Sequence, residues 1–322
     1  MIDPGQITVQ TLFDKYINLY FYGVSASSAQ PDVSIITPTS SQLAIATGIN
    51  INQSSMNRKP EITITGTFVN SVAMPGLQIR VTNMSTAIPI WAYTDHKMVV
   101  EVGYKSTNEL TCWFSGKIMT AAEEKPGPDS ITVFTLLLGE YDIFNNNKIT
   151  GLHYRKGSGA TLGTLLNQIA TELSTSFFNY SVVSDPCLSL PVQGAYDDDS
   201  VAKVALDNIK STFNVNIMLD GPQIKVIKVG TYSANQYIIS HISSVTRFAD
   251  SYTIKGPWLP KIRPWDQVYF NSRTFKQTLG GVNAPATVFQ KVLTVDFEFS
   301  TTGRSNTMTL RTLNLQDTQN GL

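Results

Sequence analysis

Apolar and polar positions alternate with period two through residues 97–120. Met98, Val100, Val102 and Tyr104 share one face, with Glu101 and Lys105 opposite. After a polar turn, Leu110, Cys112, Phe114, Gly116 and Ile118 share a face, with Glu109, Thr111, Ser115 and Lys117 opposite. The pattern predicts two strands of a sheet that is wet on one side. It recurs at residues 61–68, where Ile62, Ile64, Gly66 and Phe68 alternate with Glu61, Thr63, Thr65 and Thr67. Beyond the turn Met74-Pro75-Gly76, Leu77, Ile79 and Val81 repeat it. Residues 123–129 form a hydrophilic Pro/Gly turn. Residues 130–140 are apolar on both faces and are expected at the centre of the sheet. Five or more such antiparallel strands make a barrel or a sandwich. Upstream, the aromatic residues of 12–24 favour a strand. Residues 25–57 are polar apart from an apolar patch at 43–51, and fit either a loop or an extended arm that orders against a neighbour.

The pattern changes after Asn145. Leu162, Leu165, Leu166, Ile169 and Leu173 fall at helical spacing, predicting a helix over 161–173 with Thr161 or Ser158 as N-cap. Ala202, Ala205, Leu206, Ile209 and Phe213 predict a second helix over 200–213, with residues 197–200 supplying the cap and a favourable negative charge. Residues 214–219 and 223–229 read as a hairpin around Asp220-Gly221-Pro222. Strand signals return at 244–255, 261–271, 289–300 and 306–313. In the third of these, Leu293, Val295, Phe297 and Phe299 are expected inward, and in the last, Met308 and Leu310. Residues 274–287 are expected as a loop bent at Gly280-Gly281. The chain therefore reads as mainly β (α+β), with a β region over 1–148, an α/β unit with two short helices over 149–240, and a second β region over 241–322.

At 322 residues the chain is long enough for two or three domains. Charged residues are 15%, well under the roughly 25% of an average soluble domain, and 24 cations balance 24 anions. A protein built to grip nucleic acid usually carries a basic excess, and this one has none. Sparse charge on a Thr/Ser/Asn-rich surface suits a chain packed against other subunits, and equally an ordinary neutral β protein. Cys112 and Cys187 match no metal or redox spacing and are expected as free thiols. No signal peptide and no membrane span are indicated.

Each candidate for chemistry has a plainer reading. Glu123-Glu124 is a carboxylate pair, but adjacent residues of a strand or turn point apart. Asp197-Asp198-Asp199 lacks the central Gly and closing Glu of a calcium loop. His96, His153 and His241 stand singly, without zinc spacing. Gly157-Ser158-Gly159 precedes a helix but lacks the Gly-Lys-Ser/Thr ending of a phosphate loop and the frame of a nucleophile elbow. Trp91, Trp113, Trp258 and Trp265 could stack sugars or bases, although Trp258 and Trp265 lie beside prolines, where packing and interface roles are commoner. No catalytic, cofactor or metal site is expected.

The wording of the strands resembles one family. Gly103-Tyr104 ends an apolar strand, Phe114-Ser115-Gly116-Lys117-Ile118 follows, and the run reaches Glu140-Tyr141-Asp142. Gly159-Ala160-Thr161-Leu162 leads into a helix. Pro264-Trp265-Asp266-Gln267-Val268 opens a late strand, and Met308-Thr309-Leu310 closes the last one. In this order, over residues 61–322, they resemble the baseplate hub proteins of contractile-tailed bacteriophages. Gly103, Tyr104, Phe114, Gly116, Pro264 and Asp266 carry the likeness most directly. The resemblance implies two tail-tube-like antiparallel β-barrels with an α/β connector between them. It also implies a homotrimer whose six barrels adapt a sixfold tail tube to a threefold spike. The implied partners are further copies of the chain, the tube or tube-initiator protein, the spike and other baseplate proteins, with DNA only in transit through the lumen. The implied place is the virion, assembled in the host cytoplasm, with no enzymatic activity. Two alternatives remain: another tail component on the same barrel, such as a tube initiator or distal tail protein, and a carbohydrate-binding or adhesion module of a virion. The sequence shows no internal repeat of the kind an adhesin would carry.

Overall fold

The computed structural model describes residues 15–22, 33–36, 49–50, 61–84, 94–104, 107–239, 241–248, 251–279, 282–301 and 306–314. The first strands are β1 (Lys15–Tyr22), β2 (Val33–Ile36) and β3 (Ile49–Asn50), then β4 (Ile62–Val69), β5 (Gly76–Thr82), β6 (Lys97–Tyr104), β7 (Thr107–Glu124) and β8 (Ile131–Leu137). A mixed region follows: α1 (Tyr141–Asn146), β9 (Leu152–Tyr154), α2 (Leu162–Leu173), β10 (Ser181–Val182), a 3-10 turn at Pro186–Ser189, β11 (Tyr196–Asp198), α3 (Ala202–Phe213), β12 (Val215–Asp220) and β13 (Gln223–Lys228). Then come β14 (Gln236–Ile238), β15 (Ser244–Phe248), β16 (Ser251–Gly256), β17 (Gln267–Leu279), β18 (Val282–Ser300) and β19 (Asn306–Asn314).

The fold is mainly β, and its topology repeats. β4 to β8 are ordered β4-β5-β8-β7-β6, and β15 to β19 are ordered β15-β16-β19-β18-β17. In each unit the fourth strand is long and bulged, with register shifts at Ile118/Thr120 in β7 and Val292/Thr294 in β18. Each bulge is held by the residues that precede the third strand. Asp95 N donates to Ile118 O and Ile118 N to His96 O; Trp265 N donates to Val292 O and Val292 N to Asp266 O. Asp95 and Trp265 are both left-handed, at φ 68° and 75°. The two units join edge to edge, because β18 pairs with β4 in antiparallel register from Thr294↔Val69 to Ser300↔Thr63. Among the described residues, both belong to one 14-stranded sheet.

The alternation read from the sequence fills the core. Ile62, Ile64, Phe68, Leu77, Ile79, Val81, Met98, Val100, Val102, Tyr104, Phe114 and Ile118 are buried in one cluster with Ile254, Val295, Phe297, Phe299, Met308 and Leu310 from the second unit. A separate core serves the mixed region, where α3 packs on β12, and α2 packs on α3, β10 and the 3-10 turn. α2 starts at Thr161, whose side chain and that of Thr164 cap one another's backbone.

Several elements differ from expectation. Residues 244–255 hold two strands rather than one, β15 and β16, paired antiparallel from Ser244↔Lys255 to Phe248↔Ser251, and the Ser251 hydroxyl donates to Phe248 O at 2.8 Å. Residues 276–279 and 282–287 are paired strand rather than loop, in β17 and β18, with a bulge between Ser272 and Lys276. Backbone pairing holds this stretch without an apolar alternation to announce it. Gly280 and Gly281 lie outside the described residues, as does most of 25–57, although β2 and β3 in that segment extend the sheet beyond β1. The β18 bulge moves the inward register by one, so Val292 is buried and Leu293 is half-buried. The strand expected over 130–140 stops at Leu137; Gly139 takes φ 125° and α1 begins at Tyr141. α3 is not capped by residues 197–200, because its N-cap is Val201, without a side-chain bond.

Gly116 is buried where β7 meets the end of β8, and a Cβ there would collide with the Leu137 carbonyl oxygen. A backbone carbonyl cannot swing aside as a side chain can, so Gly116→Val should lower stability by about 1–3 kcal/mol or more in urea denaturation. Gly194→Ala, which meets nothing within 4 Å, should leave it almost unchanged. Equal midpoints for the two variants would contradict this packing.

Candidate functional site

The six positions that carry the family resemblance lie mainly around the joint between the two β units. Gly103 occupies the bulge between Val102 and Tyr104 and is buried. Tyr104 ends β6 in the core, and its hydroxyl donates to Trp258 O at 2.7 Å and Asn306 Oδ1 at 3.0 Å. A first-unit side chain thereby holds the loop before β17 and the start of β19. Burial pushes the Tyr104 phenol well above its ordinary value. Phe114 sits in an aromatic stack with Phe68, Phe297 and Trp258. Within it the Trp258 and Phe297 rings are parallel, 4.2 Å between centroids, with Phe299 edge-on to Trp258. Gly116 stands apart, where β7 meets the end of β8.

Pro264 and Asp266 belong to the loop before β17, and both are buried. Asp266 accepts from Ser233 Oγ at 2.6 Å, Asn235 Nδ2 at 3.2 Å and Arg263 N at 2.8 Å. It therefore ties the exit of the mixed region to the entry of β17. Burial pushes its carboxyl up, against those three hydrogen bonds.

The residue at the centre of this joint is Arg263, which sequence reasoning passed over. Its Nε donates to Asp220 Oδ1 at 3.0 Å, and its Nη1 to Pro260 O at 2.6 Å and Ile262 O at 3.0 Å. Its Nη2 lies 3.1 Å from Cys112 Sγ. The guanidinium also lies over the rings of Phe68 and Phe114, at 4.3 and 5.3 Å. One buried cation thus touches strands of the first unit, the β12–β13 turn and the loop entering β17. Burial works to lower the Arg263 pKa, but Asp220 holds it above the ordinary value. Burial likewise works to raise the Asp220 carboxyl, but Arg263 and Lys225 hold it down at about 2. The available signals were an Arg set between Ile262 and Pro264-Trp265, and an Asp in a hairpin turn whose charge a buried Arg could need.

The other candidates separate. Glu124 pairs with Arg80 at 2.5 Å, and Glu123 with Lys125 at 3.6 Å. Of the three aspartates, Asp198 is buried and accepts from Ser200 N at 2.9 Å and Asn208 Nδ2 at 2.8 Å. Asp197 and Asp199 flank His153 on the exposed side, and the Asp197 hydrogen bond raises the His153 pKa. Among the described residues no three His, Cys, Asp or Glu side chains are disposed to hold a metal ion, and no helix is long and apolar enough to cross a membrane. Gly157 and Gly159 take φ 81° and 74° in the turn before α2. Trp258 and Trp265 are buried, Trp113 is exposed beside Tyr20, and Trp91 lies outside the described residues. Cys187 is buried and Cys112 half-buried, both as free thiols.

Neither a protein-family model nor a curated protein matches the sequence. Solved structures do match the fold. The 43 kDa tail protein of prophage MuSo2 from Shewanella oneidensis aligns over 94% of this chain and 98% of its own, at 8% identity and a TM-score of 0.58. A tail protein from Neisseria meningitidis MC58 aligns over 78% of this chain and 91% of its own, at 10% identity and a TM-score of 0.54. The chain has the fold of these tail proteins. At such identities the likeness speaks for architecture alone, so the joint around Arg263 is argued from its own chemistry.

Removing one member of a buried ion pair strands the other charge, which typically costs about 3–5 kcal/mol. Arg263→Met should therefore lower unfolding stability by about 3 kcal/mol. Asp220 has a folded pKa below its ordinary 3.8, so its contribution is complete above that value and disappears as pH falls through about 2. The stability gap between the natural chain and Asp220→Asn, measured in urea, should narrow from pH 5 towards pH 2. A gap independent of pH would contradict the pairing.

Proposed function

We propose that the chain is a structural protein of a bacteriophage-type tail and forms the homotrimeric central hub of a baseplate, adapting a sixfold tail tube to a threefold spike. The observation that carries this reading is the five-stranded unit built twice and joined edge to edge within one chain. Two equivalent units per chain let three copies present six similar faces while keeping threefold symmetry for a second partner. The fold shared with two tail proteins, over 78% and 94% of this chain, supports the same reading, as does the low charge content. In this account residues 1–148 and 241–322 carry the two tube-like barrels, and 149–240 the connector. The partners are the tube or tube-initiator protein, the spike and other baseplate proteins, and DNA only passes through. The chain acts by geometry rather than catalysis.

Light scattering after size exclusion should give a particle of about three times the 35.4 kDa chain mass. A monomer or dimer at every concentration tested would contradict the hub reading.

A further inference from the structure

The repeat can be followed residue by residue through its pairings. Thr120↔Thr135 in the first unit corresponds to Thr294↔Arg311 in the second, each just past its bulge. Gly76↔Leu137 corresponds to Ser251↔Leu313, and Thr63↔Arg80 to Ser244↔Lys255. β15 is therefore the counterpart of β4, and β7 the counterpart of β18. In the second unit β17 leaves the edge of β18 at Lys291, and β4 takes over that edge from Thr294. In the first unit β6 and the residues before it leave the edge of β7 at Ile118. Beyond that point, no strand among the described residues lies on that edge of β7. β15 has β16 on one side and, among the described residues, no strand on the other.

We propose that β15 of one copy pairs antiparallel with β7 of a second copy, in the register that β18 and β4 already adopt within the chain. This deepens the hub reading and rests on it, since it takes the partner to be another copy and names the surfaces that meet. Phe297↔Gly66 and Asp296↔Thr67 in the internal seam translate to Glu123 opposite Arg247 and Ala122 opposite Phe248.

Two features of the side chains favour this register. Glu123 and Arg247 are opposite charges, both exposed, and directly opposed charges on neighbouring strands attract. Phe248 is 82% exposed, and the seam covers it across a residue small enough to leave room. β15 also lacks two of the devices that normally blunt an exposed edge. It has no proline, and its five pairs with β16 run without a bulge. Each copy offers one β7 edge and one β15 edge, so the contact is head-to-tail and propagates into a ring.

The test mixes full-length Glu123→Cys and Arg247→Cys chains under mild oxidation, followed by a non-reducing gel. The seam predicts a species of about twice 35.4 kDa in the mixture and in neither variant alone, because a head-to-tail contact brings 123 to 247 and never either to itself. Natural chains that form trimers while the mixture gives no cross-link would overturn the seam and leave the hub reading standing. Natural chains that stay monomeric would overturn both. As a second measurement, Glu123→Arg and Arg247→Glu should each weaken self-association about tenfold, and the two together in one chain should restore it. A double variant as weak as the singles would overturn the proposed register.

Discussion

A sheet edge must find a partner, and that constraint organises this chain. When β17 leaves β18 at Lys291, the backbone groups of the following residues need hydrogen bonds. β4, more than two hundred residues earlier in sequence, supplies them from Thr294 to Ser300. The seam needs a small residue where the large one falls. Gly66 stands opposite Phe297, and a Cβ on it would meet that ring at 2.9 Å. Behind the seam lie Phe68, Phe114, Trp258 and Phe297, so edge pairing and aromatic packing reinforce one another. Neither unit's core is complete without residues from the other.

Arg263 fixes how the mixed region sits against this arrangement. A buried guanidinium is costly unless its donors and its charge are met, and here Asp220, two backbone carbonyls and the Cys112 sulfur meet them. Those partners come from separate parts of the chain, so the ion pair forms only when all of them are in place. Such a contact adds less to net stability than its geometry suggests, and more to uniqueness of arrangement. Under the proposed hub reading, in which the chain presents surfaces at set angles, that is the useful property.

The sequence showed the parts that depend on local alternation. The inward faces of β4 to β8, the two longer helices of the mixed region and the β12–β13 hairpin follow from period-two or period-3.6 patterns. What it hid were departures from period: the bulge that turns Leu293 aside, the pairing of the polar residues 276–279 with 282–285, and the division of 244–255 into two strands. The repeat was hidden for a related reason. Equivalent positions keep direction and burial but not identity, as with Leu77 and Tyr252 or Met98 and Val268, so the duplication is legible in pairings rather than letters. The Arg263–Asp220 pair was invisible because each residue has an ordinary local role and their meeting depends on tertiary contact. The family resemblance gave the architecture, while the residues that hold the joint came from the structure.

In the proposed assembly, the seam that joins the two units within a chain is made again between chains and closes a ring in which every unit has similar neighbours. Electron microscopy of the purified chain, viewed end-on, tests this most directly. The account predicts a ring of six lobes with true threefold symmetry around an open centre. Particles with one pair of lobes, or rings whose lobe number is not six, would contradict it.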